Sequence, residues 1–334
     1  MKLAIKNVIQ NVCFSFAFIT NCLLILLIIT KSPPKLGTYK YLMIFFSTVS
    51  LGYSFLEYFM NPLLLSFGDC FQVISKIRFT SYPWIDEYFL DCGCGFCGII
   101  MSMFVVHFVF RFFALQRRGN LKYFEDWYFL CWFAIPICLG ILWAAAVQTF
   151  LHGDPESSGY MRETLLENYN LSISDIVYVG VLYHKKLANE TTIMNLKGIQ
   201  GVCILGAIMN ICFILIIYFG ALTYQRIKQL IMEGRSEYTR KLQKQLYQAL
   251  VIQTIIPVFF MILPLTIYFF SPLFHLGHPI IGDLATFSCA MYPVLDPLPV
   301  MFVIDNYRLA ILEGVGCIKR QGEVNVNVTS TSAI

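Results

Sequence analysis

Seven long apolar stretches, each about the length of a bilayer crossing, run along this chain between polar, charge-bearing segments, at roughly 8–30, 40–66, 88–115, 127–150, 199–223, 244–270 and 281–304. The hydrocarbon layer of a bilayer is about 30 Å thick and an α-helix rises about 1.5 Å per residue, so about 20 apolar residues cross it. The pattern predicts an all-α membrane protein, a bundle of seven transmembrane helices. Composition agrees, because only 13% of residues are charged, about half the roughly 25% usual in soluble domains. The spans use most of the 334 residues. That leaves one bundle domain, residues 1–318, and a polar cytosolic tail, residues 319–334.

The apolar run from Val8 to Thr30 is longer than a signal-peptide core of about 7–15 residues and lacks a clear cleavage site, so it reads as the first span. Among the 12 cysteines, Cys13, Cys22, Cys131, Cys138, Cys212 and Cys289 fall inside spans and read as small apolar packing residues. Lys and Arg concentrate on the cytosolic side of membrane proteins. With the N-terminus outside, the inner segments hold 16 of the Lys and Arg residues and the outer segments eight. Two N-glycosylation sequons, at Asn170 and Asn189, lie in the loop between spans four and five, which is external in this orientation. The net charge of +4 does not point to nucleic acid, because the basic residues border the spans.

The segment 151–198 is the one long connection. It contains an apolar run, Ile176 to Tyr183, too short to cross a membrane and suited to a β-strand. Long loops in compact folds are often functional, and this one reads either as a lid over the outer mouth or as a mobile glycosylated loop. The inner loop 224–243 is basic, which serves orientation, docking of a cytosolic partner, or both. After span seven, Asp305 to Gly316 reads as a short amphipathic eighth helix inside, with Tyr307, Ala310, Ile311 and Val315 near one side. Cys317, close to Lys319 and Arg320, is a candidate palmitoylation site. The tail from Gln321 onward reads as disordered.

No nucleotide loop, zinc-protease motif or nucleophile–base pair is present, so no enzyme activity and no cofactor is expected. No metal site is expected either: Cys94 and Cys97 have a CxxC spacing but no histidine cluster, and with their neighbouring glycines they read as close helix packing. Ionisable residues inside a bilayer are costly and therefore functional candidates. Glu57, in the outer half of span two, either faces a ligand cavity or reaches interfacial water. Tyr58 and Met101 join it as ligand-binding candidates on depth. His107 and Arg111 lie one turn apart on one face of span three. Arg111 could otherwise serve as an orientation charge that snorkels to the surface. Asp296 sits at a similar depth in span seven. It is expected either to pair with His107 or Arg111 at rest, as an activation switch, or to be satisfied by water or backbone. Pro257 and Pro264 interrupt span six seven residues apart, as a kink for activation or as plain packing.

Four ordered segments resemble the nematode Str-type seven-transmembrane chemoreceptors. They are Gly37-Thr38-Tyr39-Lys40-Tyr41-Leu42-Met43, His107-Phe108-Val109-Phe110-Arg111-Phe112-Phe113-Ala114, the run from Leu242 to Thr254, and Tyr292-Pro293-Val294-Leu295-Asp296-Pro297. The resemblance extends from about residue 36 to 310. It implies a G-protein-coupled odorant receptor in the plasma membrane of sensory cilia. A small-molecule odorant would bind the outer bundle, and a heterotrimeric G protein would dock at the inner ends of spans three, five and six. Arg111 resembles the arginine that rhodopsin-like receptors carry there, but its neighbour is Phe110 rather than an acid. Many seven-helix receptors tie span three to the loop after span four by a disulfide. Segment 151–198 has no cysteine, so a bridge of the kind this resemblance implies would have to join Cys92 or Cys94 to Cys70 or Cys203, with Cys70–Cys92 the expected pair. The alternative is a ligand-gated cation channel subunit, as in insect odorant receptors, with the N-terminus inside. A transporter would show inverted repeats and midplane charge pairs, neither of which is clear here.

Epitope tags at the two termini, probed on unpermeabilised cells, should label only at the amino end, and glycosidase should lower the mass of the wild type more than that of Asn170→Gln. Labelling of the carboxyl tag alone would reverse the topology and favour the channel.

Overall fold

The computed structural model describes residues 3–76, 82–116, 124, 126–186, 191–232 and 237–317. From the N-terminus come α1 (Leu3–Lys31), α2 (Tyr39–Met60), a hairpin of β1 (Leu63–Phe67) and β2 (Cys70–Ser75), α3 (Pro83–Ala114) and α4 (Asp126–Phe150). Next come α5 (Pro155–Tyr169), β3 (Val177–Leu182), β4 (His184–Lys186), β5 (Thr192–Met194) and α6 (Leu196–Met232). The sixth crossing is α7 (Glu237–Pro257) continued by α8 (Leu263–Phe270), and the seventh is α9 (Pro279–Leu295) continued by α10 (Leu298–Val303). A short α11 (Asp305–Gly314) follows. Seven of these helical stretches are long and apolar enough to cross a membrane.

The sequence reading carried span two to residue 66, but the helix stops at Met60. Asn61 turns into the left-handed region at φ 46°, a conformation Asn tolerates. Pro62 then disfavours further helix, and the apolar run Leu63–Phe67 becomes β1. The strand expected at Ile176–Tyr183 appears as β3, and it pairs antiparallel with β2, which pairs with β1. Sequence reasoning missed this sheet as a unit, because its strands come from two different loops.

Alternation sets the sheet's two faces. Leu64, Val73 and Val179 form one cross-strand row facing the bundle, while Leu63, Leu65, Cys70, Ile74 and Leu182 pack with Met161 and Leu165 of α5. The sheet is fastened at both edges. Gly68 exchanges backbone hydrogen bonds with Gly277 at 3.0 and 3.1 Å, and the Gly180 N–H donates to the Leu151 carbonyl at 2.7 Å. Below, the Leu64 N–H donates to Thr286 Oγ1 of α9 at 3.0 Å.

Helix α5 was not expected, although Asp154-Pro155-Glu156-Ser157 is a helix-start signal. Asp154 caps it, accepting from the Ser157 N–H at 2.7 Å, and Ser157 Oγ accepts from the Asp154 N–H at 3.2 Å. Such reciprocal caps satisfy two orphan donors at once. Lys185 pairs with Asp154 and with Glu156, the latter at 3.0 Å. Burial alone would push the Asp154 carboxyl up, but hydrogen bonds from Lys185 and Ser157 carry it below the usual carboxylate range.

Two breaks in helical regularity trace to proline. Between Pro257 and Pro264 the chain forms a π-turn, Val258–Ile262, closed by the Leu263 N–H on the Val258 carbonyl. Pro264 has no N–H for the Phe260 carbonyl, and the wider turn absorbs the mismatch. In the seventh crossing, the Pro293 carbonyl would bond residue 297, but that residue is Pro297. Asn21 of α1 donates to this carbonyl instead, at 3.0 Å. At the end away from the sheet, Asp305 of α11 pairs with Lys241 at 2.7 Å and Arg308 at 2.6 Å. The hydrogen bond from Lys241 leads in holding its carboxyl below the usual range.

Glycines bring α3 and α4 together. A Cβ on Gly95 would lie 2.8 Å from the Gly140 carbonyl oxygen, and one on Gly140 would lie 2.3 Å from Ile99. Cys94 and Cys97 sit in the same region as packing thiols. The expected Cys70–Cys92 disulfide is not formed: both are free thiols, Cys70 buried in the sheet and Cys92 exposed on α3. Gly95→Val should therefore cost about 1–3 kcal/mol by overpacking, read as a lower thermal unfolding midpoint in detergent, whereas Cys92→Ser should leave the midpoint unchanged.

Candidate functional site

Beneath the sheet lies a cavity of about 90 Å³. Its roof is the row Leu64, Val73 and Val179 together with Phe71. Its walls come from α2, α3, α4, α6, α8 and α9, through side chains such as Tyr53, Leu90, Trp143, Leu205, Leu265 and Cys289. Every one of these walls is apolar or aromatic, as is usual for small-molecule sites. Phe71 is fully buried, with its ring 5.0 Å from Phe269 and 5.4 Å from Tyr268.

Glu57 is the one carboxylate among the described residues that line this cavity. It belongs to a polar cluster that joins α1 to the end of α2. Lys6 Nζ donates to the Asn61 carbonyl at 2.7 Å and to Asn61 Oδ1 at 2.6 Å, and Gln10 Nε2 donates to Pro62 O at 3.2 Å and toward Glu57 at 3.5 Å. Tyr53, one turn earlier on the same face, lines the cavity with it. Of the two readings of Glu57, the cavity-facing one is what the geometry supports.

The other two binding candidates go elsewhere. Tyr58 is 39% exposed on the outside of the bundle, stacked on Phe14 with ring centroids 4.4 Å apart. Met101 is 2% exposed but lies in the core one turn beyond Cys97, outside the cavity lining. Helix phase turns Tyr58 away from the cavity lining, whereas Met101 shares the phase of Cys97 and lies one turn further along α3. The missed residues are Tyr53, Trp143, Leu265, Cys289 and the sheet row. The first four sit on apolar spans with no distinguishing signal, and the row needed the strand pairing.

A second cavity of about 220 Å³ lies between α6 and α8. It shares Cys97, Trp143, Leu205, Leu265 and Phe269 with the first, so these side chains form the partition. It reaches the flank of the bundle at Asn210, Thr266 and Phe270, all exposed.

At the opposite end, Tyr39 organises the span-three candidates. Its hydroxyl lies 3.2 Å from His107 Nδ1, its ring lies 5.0 Å under the Arg111 guanidinium, and it stacks on Phe110 at 5.1 Å. Arg111 is buried rather than snorkelling, and donates to the Gln243 carbonyl at 3.1 Å. Asp296 does not pair with His107 or Arg111, which corrects the resting-state contact expected from depth. Its backbone carbonyl accepts from Gln253 Nε2 of α7 at 2.9 Å, and Tyr39 occupies the space beside both basic groups.

Among the remaining candidates, Asn170 is exposed and caps α5 in the left-handed region, and Cys317 is exposed just past α11. Asn189 and the tail lie outside the described residues. One group was not singled out in the sequence: Asp69, His184 and His275 place one potential ligand atom each within 4.8 Å of one another. No short motif could have revealed it, since Asp69 and His275 are 206 residues apart.

The serpentine type seven-transmembrane GPCR chemoreceptor Str family matches residues 6–312. The chain is 31% identical to the G-protein coupled receptor str-217 of Caenorhabditis elegans, over 94% of this chain and 90% of that protein. It is 32% identical to the serpentine receptor class r-10 of Caenorhabditis elegans, over 89% and 87%, and 30% identical to the class r-10 receptor of Caenorhabditis briggsae, over 99% and 96%.

Tyr39→Ala should destabilise the bundle by about 3–5 kcal/mol, the range for removing a buried aromatic, and Tyr39→Phe by about 1 kcal/mol for the lost hydrogen bond. Thermal unfolding in detergent measures both, and a wild-type midpoint for Tyr39→Ala would refute this role.

Proposed function

The chain belongs to the Str family of serpentine seven-transmembrane GPCR chemoreceptors, and we propose that it detects a small, mostly apolar organic odorant carrying one hydrogen-bond donor. The observation that carries this reading is the apolar cavity with a single carboxylate, Glu57, on its wall. Apolar walls supply affinity by removing ligand surface from water. Glu57 supplies direction, because its carboxylate, which Gln10 approaches from α1, can also accept from a ligand donor, and hydrogen bonds to charged groups are the stronger ones. The volume of about 90 Å³ restricts the resident to a few non-hydrogen atoms, unless the partition of Trp143, Leu205 and Phe269 moves and the two cavities merge.

In this reading the sheet faces outside, with the N-terminus and the sugars at Asn170 and Asn189. The sheet closes the outer mouth, so a lipophilic ligand reaches the cavity from the membrane, through the flank between α6 and α8. Binding favours one arrangement of the partition and of the π-turn that Pro257 and Pro264 bracket, and so shifts a pre-existing equilibrium. The Tyr39–His107–Arg111 assembly and the basic ends of α6 and α7 then present a surface to a heterotrimeric G protein. Plasma membrane of a sensory cilium, with Cys317 lipidated, is the location this role implies.

The test is a reporter cell line expressing the chain, screened against small volatile alcohols, amines and their methylated counterparts. Glu57→Gln should weaken responses to donor-bearing odorants at least tenfold and spare the methylated ones. Gly206 borders the flank cavity, and a Cβ there meets nothing within 4 Å, so Gly206→Trp should slow the response without lowering surface expression. Undiminished potency in Glu57→Gln would remove the carboxylate from the site.

A further inference from the structure

We propose that Asp69, His184 and His275 form a divalent transition-metal site, of the zinc class, that clasps the three outer segments of the sheet-bearing end together. Asp69 stands in the β1–β2 turn, His184 opens β4 beyond the third strand, and His275 lies in the connection between the sixth and seventh crossings. Their ligand atoms all lie within 4.8 Å of one another. A tetrahedral zinc site with bonds of about 2.0–2.2 Å needs its ligand atoms roughly 3.3 Å apart, which small side-chain rotations provide.

The backbone around the three residues is already pinned. Gly68 and Gly277 exchange hydrogen bonds at 3.0 and 3.1 Å, and the Tyr183 N–H donates to the Asp69 carbonyl at 2.9 Å. Each ligand is therefore next to, or two residues from, a fixed point, and a preorganised frame is what a metal site requires. His275 sits in the left-handed region at φ 61°, which His tolerates better than most residues, and its ring nitrogen contacts Asp69.

The side chains are less satisfied than the backbone. The two imidazoles stack face to face, 4.3 Å apart and inclined by 25°. Both address the one Asp69 carboxylate: His275 Nδ1 contacts Oδ1, and His184 Nδ1 lies 3.7 Å from Oδ2. That His184 nitrogen is buried without a hydrogen-bond partner. A metal ion would engage both rings and the carboxylate together, with solvent in the fourth position. Two imidazoles with one carboxylate is a donor set that suits zinc or copper rather than magnesium or calcium. The nearby cation does not compete, because Lys185 is engaged by Asp154 and Glu156. His275 is 65% exposed, so the ion has an open approach.

A metal held here would bridge the hairpin, the strap after β3 and the outer end of the sixth crossing, and would bind best when those segments are closed. The proposal does not depend on which odorant occupies the cavity, and it is tested without one. Full-length receptor in nanodiscs is titrated with Co²⁺, whose tetrahedral complexes have an intense visible absorption, and the bound Co²⁺ is then displaced with Zn²⁺. The expected result is a saturable band at one equivalent, weakened at least tenfold in affinity by His275→Ala and by Asp69→Asn and lost in the His184→Ala/His275→Ala double variant. Zn²⁺ should also raise the thermal midpoint of the wild type but not of His275→Ala, as binding to the folded state alone requires. His275→Ala trims an exposed side chain, so its metal-free midpoint serves as the folding control. Absence of a tetrahedral band, or a band and affinity unchanged in His275→Ala, overturns the proposal.

Discussion

A backbone N–H or carbonyl that sits in hydrocarbon has no water to turn to, and each one left unpaired costs several kcal/mol. That constraint organises this receptor from end to end. It makes the crossings helical, and it makes every interruption of a helix conspicuous, because each needs a donor or acceptor from somewhere else. Pro297 deprives the Pro293 carbonyl of its partner, and Asn21 from the first crossing supplies one at 3.0 Å. The π-turn between Pro257 and Pro264 re-registers one cycle of bonds. Where α2 stops early at Asn61, the chain leaves helix for a strand that is paired at once with β2.

The same requirement explains the roof over the cavity. A closed mouth could be built from loops, but their backbone groups would then need water. A three-stranded sheet closes the mouth with its hydrogen bonds already made. It offers one apolar face downward to the cavity and another upward to α5. The edges, where sheets are usually exposed, are occupied by Gly277 on one side and Leu151 on the other. The receptor thus holds an apolar chamber with a single carboxylate on its wall, and the ionisable groups of the opposite end are kept separate from it by the core of the bundle.

The spans were legible in the sequence because length and apolarity report directly on a bilayer crossing, and membership of the Str family agrees with that count. The strand at Ile176–Tyr183 was legible from its own composition. The sheet was not, because pairing between residues about a hundred positions apart leaves no local trace. Glu57 could be singled out since a carboxylate in an apolar span is costly wherever it points. Tyr58 could not be judged by depth alone, because each helix turns by about 100° per residue and one position separates it from Glu57 on the cavity wall, while Met101 missed the cavity by one turn along α3. The Asp296 contact failed for a related reason. Equal depth does not bring side chains together: Tyr39 packs against His107 and Arg111, while the Asp296 carbonyl accepts from Gln253 of α7. The capping signal at Asp154-Pro155-Glu156-Ser157 was present and readable, but the long loop around it drew attention to its strand instead.

The sheet's construction carries a consequence for how the chain is made. Its middle strand, β2, is synthesised between the second and third crossings, while β3 arrives only after the fourth. During translation the β1–β2 hairpin must therefore wait with one edge open until more than a hundred further residues have been threaded. A receptor whose roof is completed so late presents an unpaired strand edge throughout that interval. Folding factors that shield such edges would then govern how many copies leave the site of synthesis.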